Sequence, residues 1–373
     1  MGLIKYPAFI GDAERIDLDR AMSRIAKAVS DRRVDFLFGA GMSAPKPSCV
    51  PAGRELAERL LELYFPDGAS ATDPSKVGKA QCPTCGSNVD IPARTMRLQT
   101  LAAALPFESI VEAIENGPGK KRGDLTAYLR QILLKDRFEL NQAHKEFNSV
   151  CYWDGQTRVR RVFTTNFDPL IEEALGAHGV RVTEKNAAEI DAIQDRKQIP
   201  VLHLHGTLDE EYQITESDIF DDRFRNLHSR LRMALDDADA FVFVGYSMSD
   251  PDFRSVYLKH RNEMQLRKDR RKDAYVVAPA RDHYAYSLAK GVWQARYAIY
   301  LPLDAESFFA GIKLFLDQTS RKDLQAAIMK KYRLMDENAY LDKVKQTAEI
   351  LRIDNVEAEQ FLFEARTKTG GRE

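Results

Sequence analysis

The chain has 373 residues, with 55 Lys+Arg against 56 Asp+Glu and a formal net charge of -1; it is 44% hydrophobic and 30% charged. That balance excludes a wholly disordered chain, a collagen-like chain and a globally basic nucleic-acid binder. Only four cysteines in so long a chain exclude a disulfide scaffold and suit a reducing compartment.

The start, MGLIKYPAFIGDAERID, has no basic segment running into an apolar one, so no signal peptide is expected. The longest apolar stretches are strand-sized, far short of the roughly 20 residues that span a bilayer. The expectation is a soluble, cytoplasmic protein that binds neither membrane nor nucleic acid directly.

Helical spacing of Leu18, Met22, Ile25 and Val29 predicts a helix from about Asp12 to Arg32. The apolar run Val34-Asp35-Phe36-Leu37-Phe38 reads as a strand ending in the turn Gly39-Ala40-Gly41-Met42-Ser43, and a helix resumes near Gly53. From about 66 to 150 the pattern changes to a polar, Gly/Ser/Pro-rich entry followed by helical patterns at Leu98 to Leu105, Phe107 to Glu115 and Leu125 to Leu134. This is expected to be a helical insertion. Strand-sized runs then recur at Arg161–Thr164, Val201–Leu204, Phe241–Val244, Ala274–Val277 and Tyr297–Leu301. Helical patterns fall between them at Leu170–Leu175, Phe224–Leu235, Asp252–Arg261 and Phe308–Leu316. Apolar strands alternating with helices predict an α/β fold: a Rossmann-like parallel sheet with helices on both faces. The expected organisation is one domain over 1–318 and a charged, helical C-terminal segment over 319–373.

Four predicted strand ends carry chemistry. Glycines in the turn Gly39-Ala40-Gly41-Met42-Ser43 let backbone approach a pyrophosphate, and a helix start offers free N–H groups to the anion. A tight structural turn explains two glycines about as well. In Thr164-Thr165-Asn166-Phe167-Asp168, Asp168 before Pro169 is a good helix cap, which leaves Asn166 free for a ligand. In Val201-Leu202-His203-Leu204-His205-Gly206, strand alternation puts His203 and His205 on one face. Their spacing also suits a metal, but no third ligand is evident. His205, as the last strand residue before the glycine, suits a general base; His203 reads as structural. After the fourth strand, Gly245-Tyr246-Ser247 places Ser247 where it can meet a phosphate or ribose, and Ser249 or Asp250 can cap the next helix.

In order and spacing these four turns resemble the sirtuins, and within them the sirtuin-like NAD-hydrolysing branch found in bacterial antiphage defence. The similarity runs from about Asp31 to Leu303. The resemblance implies an NAD-binding domain with Gly39, Ala40, Gly41 and Ser43 at the phosphates, Asn166 near the nicotinamide ribose, His205 as general base, Ser247 on the dinucleotide, and Thr165, Asp168 and Gly245 among the other cofactor-binding residues. Departures matter too. Protein-deacetylating sirtuins usually carry two Cys-x-x-Cys pairs, whereas this chain has one, Cys82-Pro83-Thr84-Cys85, and half a site cannot close a tetrahedral zinc shell. Zinc is therefore not expected. Thr165 stands where deacetylases have glutamine, and Val50-Pro51-Ala52-Gly53-Arg54-Glu55-Leu56 is similar to the NAD-hydrolysing branch. The implied activity is NAD cleavage to nicotinamide and ADP-ribose, catalysed by Asn166 and His205. Protein deacylation, ADP-ribosyl transfer, or NAD sensing without turnover are the other readings. The resemblance also implies a homo-oligomer, and in some relatives a HerA-like ATPase partner.

Overall fold

A computed structural model of the chain describes residues 4, 6–64, 77–81, 88–92, 100, 102, 105, 107–117, 122–134, 138–153, 155–219, 224–247, 251–266, 273–333, 336–351 and 355–364. Cys82 and Cys85, the tail from 366 and most of the expected helix at Leu98 to Leu105 lie outside the described residues. Eleven strands are present among the described residues: β1 (Val34–Phe38), β2 (Val77–Gln81), β3 (Asn88–Pro92), β4 (Tyr152–Trp153), β5 (Gln156–Thr157), β6 (Arg161–Thr164), β7 (Gly179–Val182), β8 (Ile199–His203), β9 (Ala240–Val244), β10 (Asp273–Val277) and β11 (Ile299–Leu301). Seven of them form one sheet in the order β11-β10-β9-β1-β6-β8-β7, and every neighbouring pair is parallel. The other four make two small antiparallel hairpins.

Every residue of β1, β6, β8 and β9 is buried, as expected of parallel strands covered on both faces. On one face of β1, Phe36 and Phe38 stack and meet Phe147 of the helix Gln142–Cys151, together with Phe309. Burying each such ring stabilises the fold by about 1.5–3 kcal/mol. β1 also carries a fully buried Asp35, which accepts from Arg160 and Arg161 at 2.8 Å each.

The chain divides into two compact units after Ala310. That point falls inside the helix Ala305–Tyr332, which begins earlier and runs longer than the expected Phe308–Leu316. The second unit also holds the helices Glu337–Leu351 and Asn355–Glu364, with Tyr340, Val344, Ala348, Ala358 and Leu362 as its buried core.

Several elements escaped the sequence reading. β7 was missed because Gly-Val-Arg-Val has no clean pattern; it is a sheet edge, buried only at Val182. The helices Gln142–Cys151, Ile190–Asp195 and His283–Ala295 were also missed. The helix expected at Leu125 to Leu134 begins earlier, with Arg122 opening Arg122–Leu133. No helix among the described residues is long and apolar enough to cross a membrane.

The strand order reverses at β1: the chain moves to β6 on one side and later returns to β9 on the other. In open α/β sheets that reversal opens a crevice at the carboxyl ends of the strands. Register sharpens this. Phe38 pairs with Thr164 and with Val244, and Thr164 pairs with His203. Four strand ends thus lie in one row, and the four motif turns leave the sheet side by side.

Candidate active site

A cavity of about 640 Å³ opens above that row. Ala40, Gly41, Thr165, Asn166, Asp168, His205, Gly245 and Ser247 line it. Gly39 and Ser43 lie behind this lining. Four turns far apart in sequence are thereby gathered around one space. Its apolar wall includes Val50, Leu56, Leu105, Phe107 and Leu133, so the helical insertion forms part of the enclosure.

The glycines serve backbone contact first. A Cβ at Gly39 would meet Gly245 O at 2.7 Å, one at Gly41 would meet Gly245 Cα at 2.8 Å, and one at Gly245 would meet Gly41 C at 2.6 Å. Gly245 also has φ +62, which favours glycine. Within the turn itself the N–H groups are largely taken. Gly39 N–H donates to Val244 O, Gly41 N–H to Gly245 O, Met42 N–H to Gly39 O and Ser43 N–H to Ala40 O. A short 3-10 turn, Ala40–Met42, follows the strand, and the helix proper starts only at Gly53. Ala40 N–H is without a partner among the described residues. The start of the helix Gly53–Tyr64 lines the cavity through Gly53 and Arg54, and the dipole of a helix start favours an anion there.

Asn166 is not free, contrary to the reading from sequence. It is buried, its carboxamide N–H group donates to Gly39 O at 3.3 Å and Ser43 Oγ at 3.4 Å, and its main-chain N–H donates to Thr164 Oγ1. The committed donors fix the carboxamide, whose oxygen takes no partner among the described residues. Asp168 does hold the following helix, accepting from Leu170 N–H at 3.2 Å, and it also accepts from Ser43 Oγ at 3.1 Å. Burial pushes the Asp168 carboxyl up to about 6, against the lowering effect of these two donors.

Ser43 is the centre of a buried network that includes two residues missed in the sequence. Asn141 N–H donates to His144 Nδ1 at 3.3 Å, so Nδ1 is an acceptor and the neutral ring carries its proton on Nε2. Nε2–H then points to Ser43 Oγ at 3.4 Å, and Ser43 donates onward to Asp168. Burial lowers His144 to about 4, in keeping with a neutral imidazole. The Asn141 carboxamide donates to Met42 O, tying the same helix start to the glycine turn. The signal available in sequence was Asn141-x-x-His144, whose reciprocal side-chain and backbone bonds cap the helix Gln142–Cys151.

The histidine pair separates. β8 ends at His203, so strand alternation does not reach His205, which stands in the turn beyond and lines the cavity. His203 is fully buried on the helix Leu170–Leu175, with Nε2 at 2.7 Å from Glu172. No group of three or more His, Cys, Asp or Glu among the described residues is placed to hold a metal.

Beyond His205 the chain loops back, with Gln213 N–H donating to His205 O. Gln213 and Ile214 line the cavity. The helix Arg122–Leu133 grips this loop along one face. Arg122 clamps the Asp218 carboxylate at 2.8 and 3.0 Å, Thr126 bonds Tyr212, and Arg130 donates to Leu208 O. Arg122 and the amides of Ile214 and Thr215 hold the Asp218 carboxyl well below its usual range despite its burial.

Residues 160–299 match the family model of the SIR2-like domain. That span covers the second, third and fourth turns and excludes the glycine turn, which the sheet brings beside them. A solved structure described as "Structural Basis for the Mechanism and Regulation of Sir2 Enzymes" is similar at 14% identity over 81% of this chain and 99% of its own, with a TM-score of 0.39. Comparison with curated proteins finds no match.

Proposed function

We propose that the chain is an NAD glycohydrolase, converting NAD and water to nicotinamide, ADP-ribose and a proton. The observation that carries this reading is the single row of strand ends, which sets the Asn166 carboxamide and the His205 imidazole on one cavity with the glycine turns. The match to the SIR2-like domain and the resemblance of the four turns support NAD as the substrate.

In this reading the pyrophosphate lies toward Ala40 N–H and the start of the helix Gly53–Tyr64, with Ser247 on the dinucleotide. The nicotinamide ribose faces Asn166. Cleaving the N-glycosidic bond passes through an oxocarbenium-like state, and nicotinamide is a good leaving group. The fixed Asn166 carbonyl oxygen accepts from a ribose hydroxyl or the attacking water. His205 takes the proton lost when water adds to the anomeric carbon. Thr165 and Asp168 shape the ribose end, Asp168 through Ser43. The apolar wall limits bulk water around the reacting carbon.

An enzyme that destroys a central cofactor needs restraint at rest. By resemblance we assign this to assembly, as a homo-oligomer with a HerA-like ATPase as the candidate partner, and to a role in antiphage defence. The test is purified protein with NAD alone, following nicotinamide release with and without that partner. Release without any acceptor, lowered about 10²–10⁴-fold in His205→Ala and in Asn166→Ala, is the expected result. Dependence on an added acylated peptide or protein acceptor would turn the reading to deacylation or transfer. Saturable NAD binding with no release under any condition would make the chain a sensor.

A further inference from the structure

Sequence reasoning assigned His203 a structural place, and the proposed chemistry leaves it unused. Its setting is nevertheless specific. The ring is fully buried at the last position of β8, beside Thr164 in register. Nδ1 lies 3.2 Å from the main-chain oxygen of Asn166, and Nε2 lies 2.7 Å from Glu172 Oε1. Both ring nitrogens are thus engaged, one by a main-chain carbonyl and one by a carboxyl group. Glu172 Oε1 also accepts from Arg181 Nε at 2.8 Å, while Oε2 is buried without a hydrogen bond among the described residues. Four groups from β6–β8 and the intervening helix therefore form a chain: Arg181, Glu172, His203 and the Asn166 carbonyl. Asn166 is held twice, through its carboxamide by Gly39 and Ser43 and through its backbone by His203.

We propose that His203 is a positioning residue, which grips the Asn166 carbonyl and, braced by Glu172 and Arg181, fixes the aim of the Asn166 carboxamide into the cavity. This rests on the reading of Asn166 as a catalytic group, and the effect belongs in kcat more than in KM. Arg181, Glu172 and His203 do not line the cavity, so substrate binding is left nearly as it is. Misplacing a reacting partner by about 1 Å costs on the order of 100-fold in rate.

Two variants separate the contacts. His203→Asn keeps an N–H near the Nδ1 position and loses the Glu172 contact; His203→Leu loses both. Each is also made with Glu172→Gln, so that no unpaired carboxylate is left buried. The expected result is a kcat lowered about 10–100-fold in His203→Leu with KM for NAD within about threefold, and recovery of most of that loss in His203→Asn. Equal losses in both variants, or a lowered melting temperature with unchanged turnover per folded molecule, would overturn it. A wild-type protein that releases no nicotinamide with or without the partner would sink the hydrolase reading, and with it the kcat readout, while the hold of His203 on Asn166 stays testable. In that case the readout is the Asn166 side-chain amide NMR resonance, identified by its absence in Asn166→Asp. It should move in His203→Leu and stay in place in His203→Asn; an unmoved resonance in His203→Leu overturns the positioning role.

Discussion

The cavity wall made of residues 39–43 and 165–168 hangs from the sheet, whereas the wall made of residues 205–218 hangs from the helix Arg122–Leu133. In the first, the holding contacts are buried: Ser43 with His144 and Asp168, Asn166 with Gly39, and glycine backbones in direct contact. In the second, the holding side chains reach in from solvent, with Arg122 38% and Arg130 48% exposed. The difference teaches where this site resists change and where it yields. Buried polar contacts leave desolvated orphans when cut. Exposed ion pairs are weaker and are screened by salt. The 205–218 wall carries His205, so the more adjustable wall also carries the proposed base.

The comparison breaks most sharply at Gly245. Gly245→Ala adds left-handed strain of about 1–2 kcal/mol and drives a Cβ into Gly41 C at 2.6 Å. Denaturant unfolding should show a loss of about 4 kcal/mol or more, with nicotinamide release abolished. A near-native midpoint would refute the backbone contact. Next is Ser43→Ala, which cuts the links to His144, Asp168 and Asn166 together. The expected cost is about 1–3 kcal/mol and a fall in turnover without a matching change in NAD binding by calorimetry.

Arg122→Met tests the other wall. It should lower stability by about 1–2 kcal/mol, and the difference from wild type should shrink as salt rises. A salt-independent difference would mean that packing over Tyr212, whose ring lies 4.9 Å below the guanidinium, does the holding.

The smallest effect concerns pH. Asp168 is raised from its ordinary 3.8 to about 6. Between those values the folded chain holds a proton that the unfolded chain has lost, so this group's contribution to stability falls as pH rises. His144 is lowered from 6.5 to about 4, so between those values the unfolded chain holds the extra proton and stability rises with pH. The two slopes oppose each other from about pH 4 to 6. Asp168→Asn removes the first and should leave stability rising more steeply with pH than in wild type, by at most about 1.4 kcal/mol per unit. Equal slopes in thermal or denaturant melts would refute the assignment.

Sequence reading reached the sheet-borne wall better than the other. The runs ending at Phe38, Thr164 and Val244 are apolar, short and closed by glycine or polar turns, so local pattern sufficed. It failed where the decisive contact is remote. Nothing near Asn166 in sequence shows that Gly39 and Ser43 hold its amide across more than 120 positions. Likewise the grip of Arg122, Thr126 and Arg130 is a helix face whose partner is set by the packing of Leu125, Leu129, Tyr212 and Ile214 in one core. His205 was read as a strand residue because apolar alternation continues through Leu204, although the sheet pairing stops at His203.

Asp35 and its two arginines sit at the other end of β1 and β6 from the cavity. A one-residue slip of β1 against β6 would swing Asp35 to the opposite face. It would leave a buried carboxylate without Arg160 and Arg161, a penalty of about 3–5 kcal/mol. The cluster therefore works as an alignment key, cut into the strands well away from the lock it serves. Because Phe38 and Thr164 are three residues along from the Asp35–Arg161 pair, the key also sets the height at which Gly39 and Thr165 leave the sheet. A charge-neutral replacement of Asp35 should blur the geometry of the cavity end without touching it.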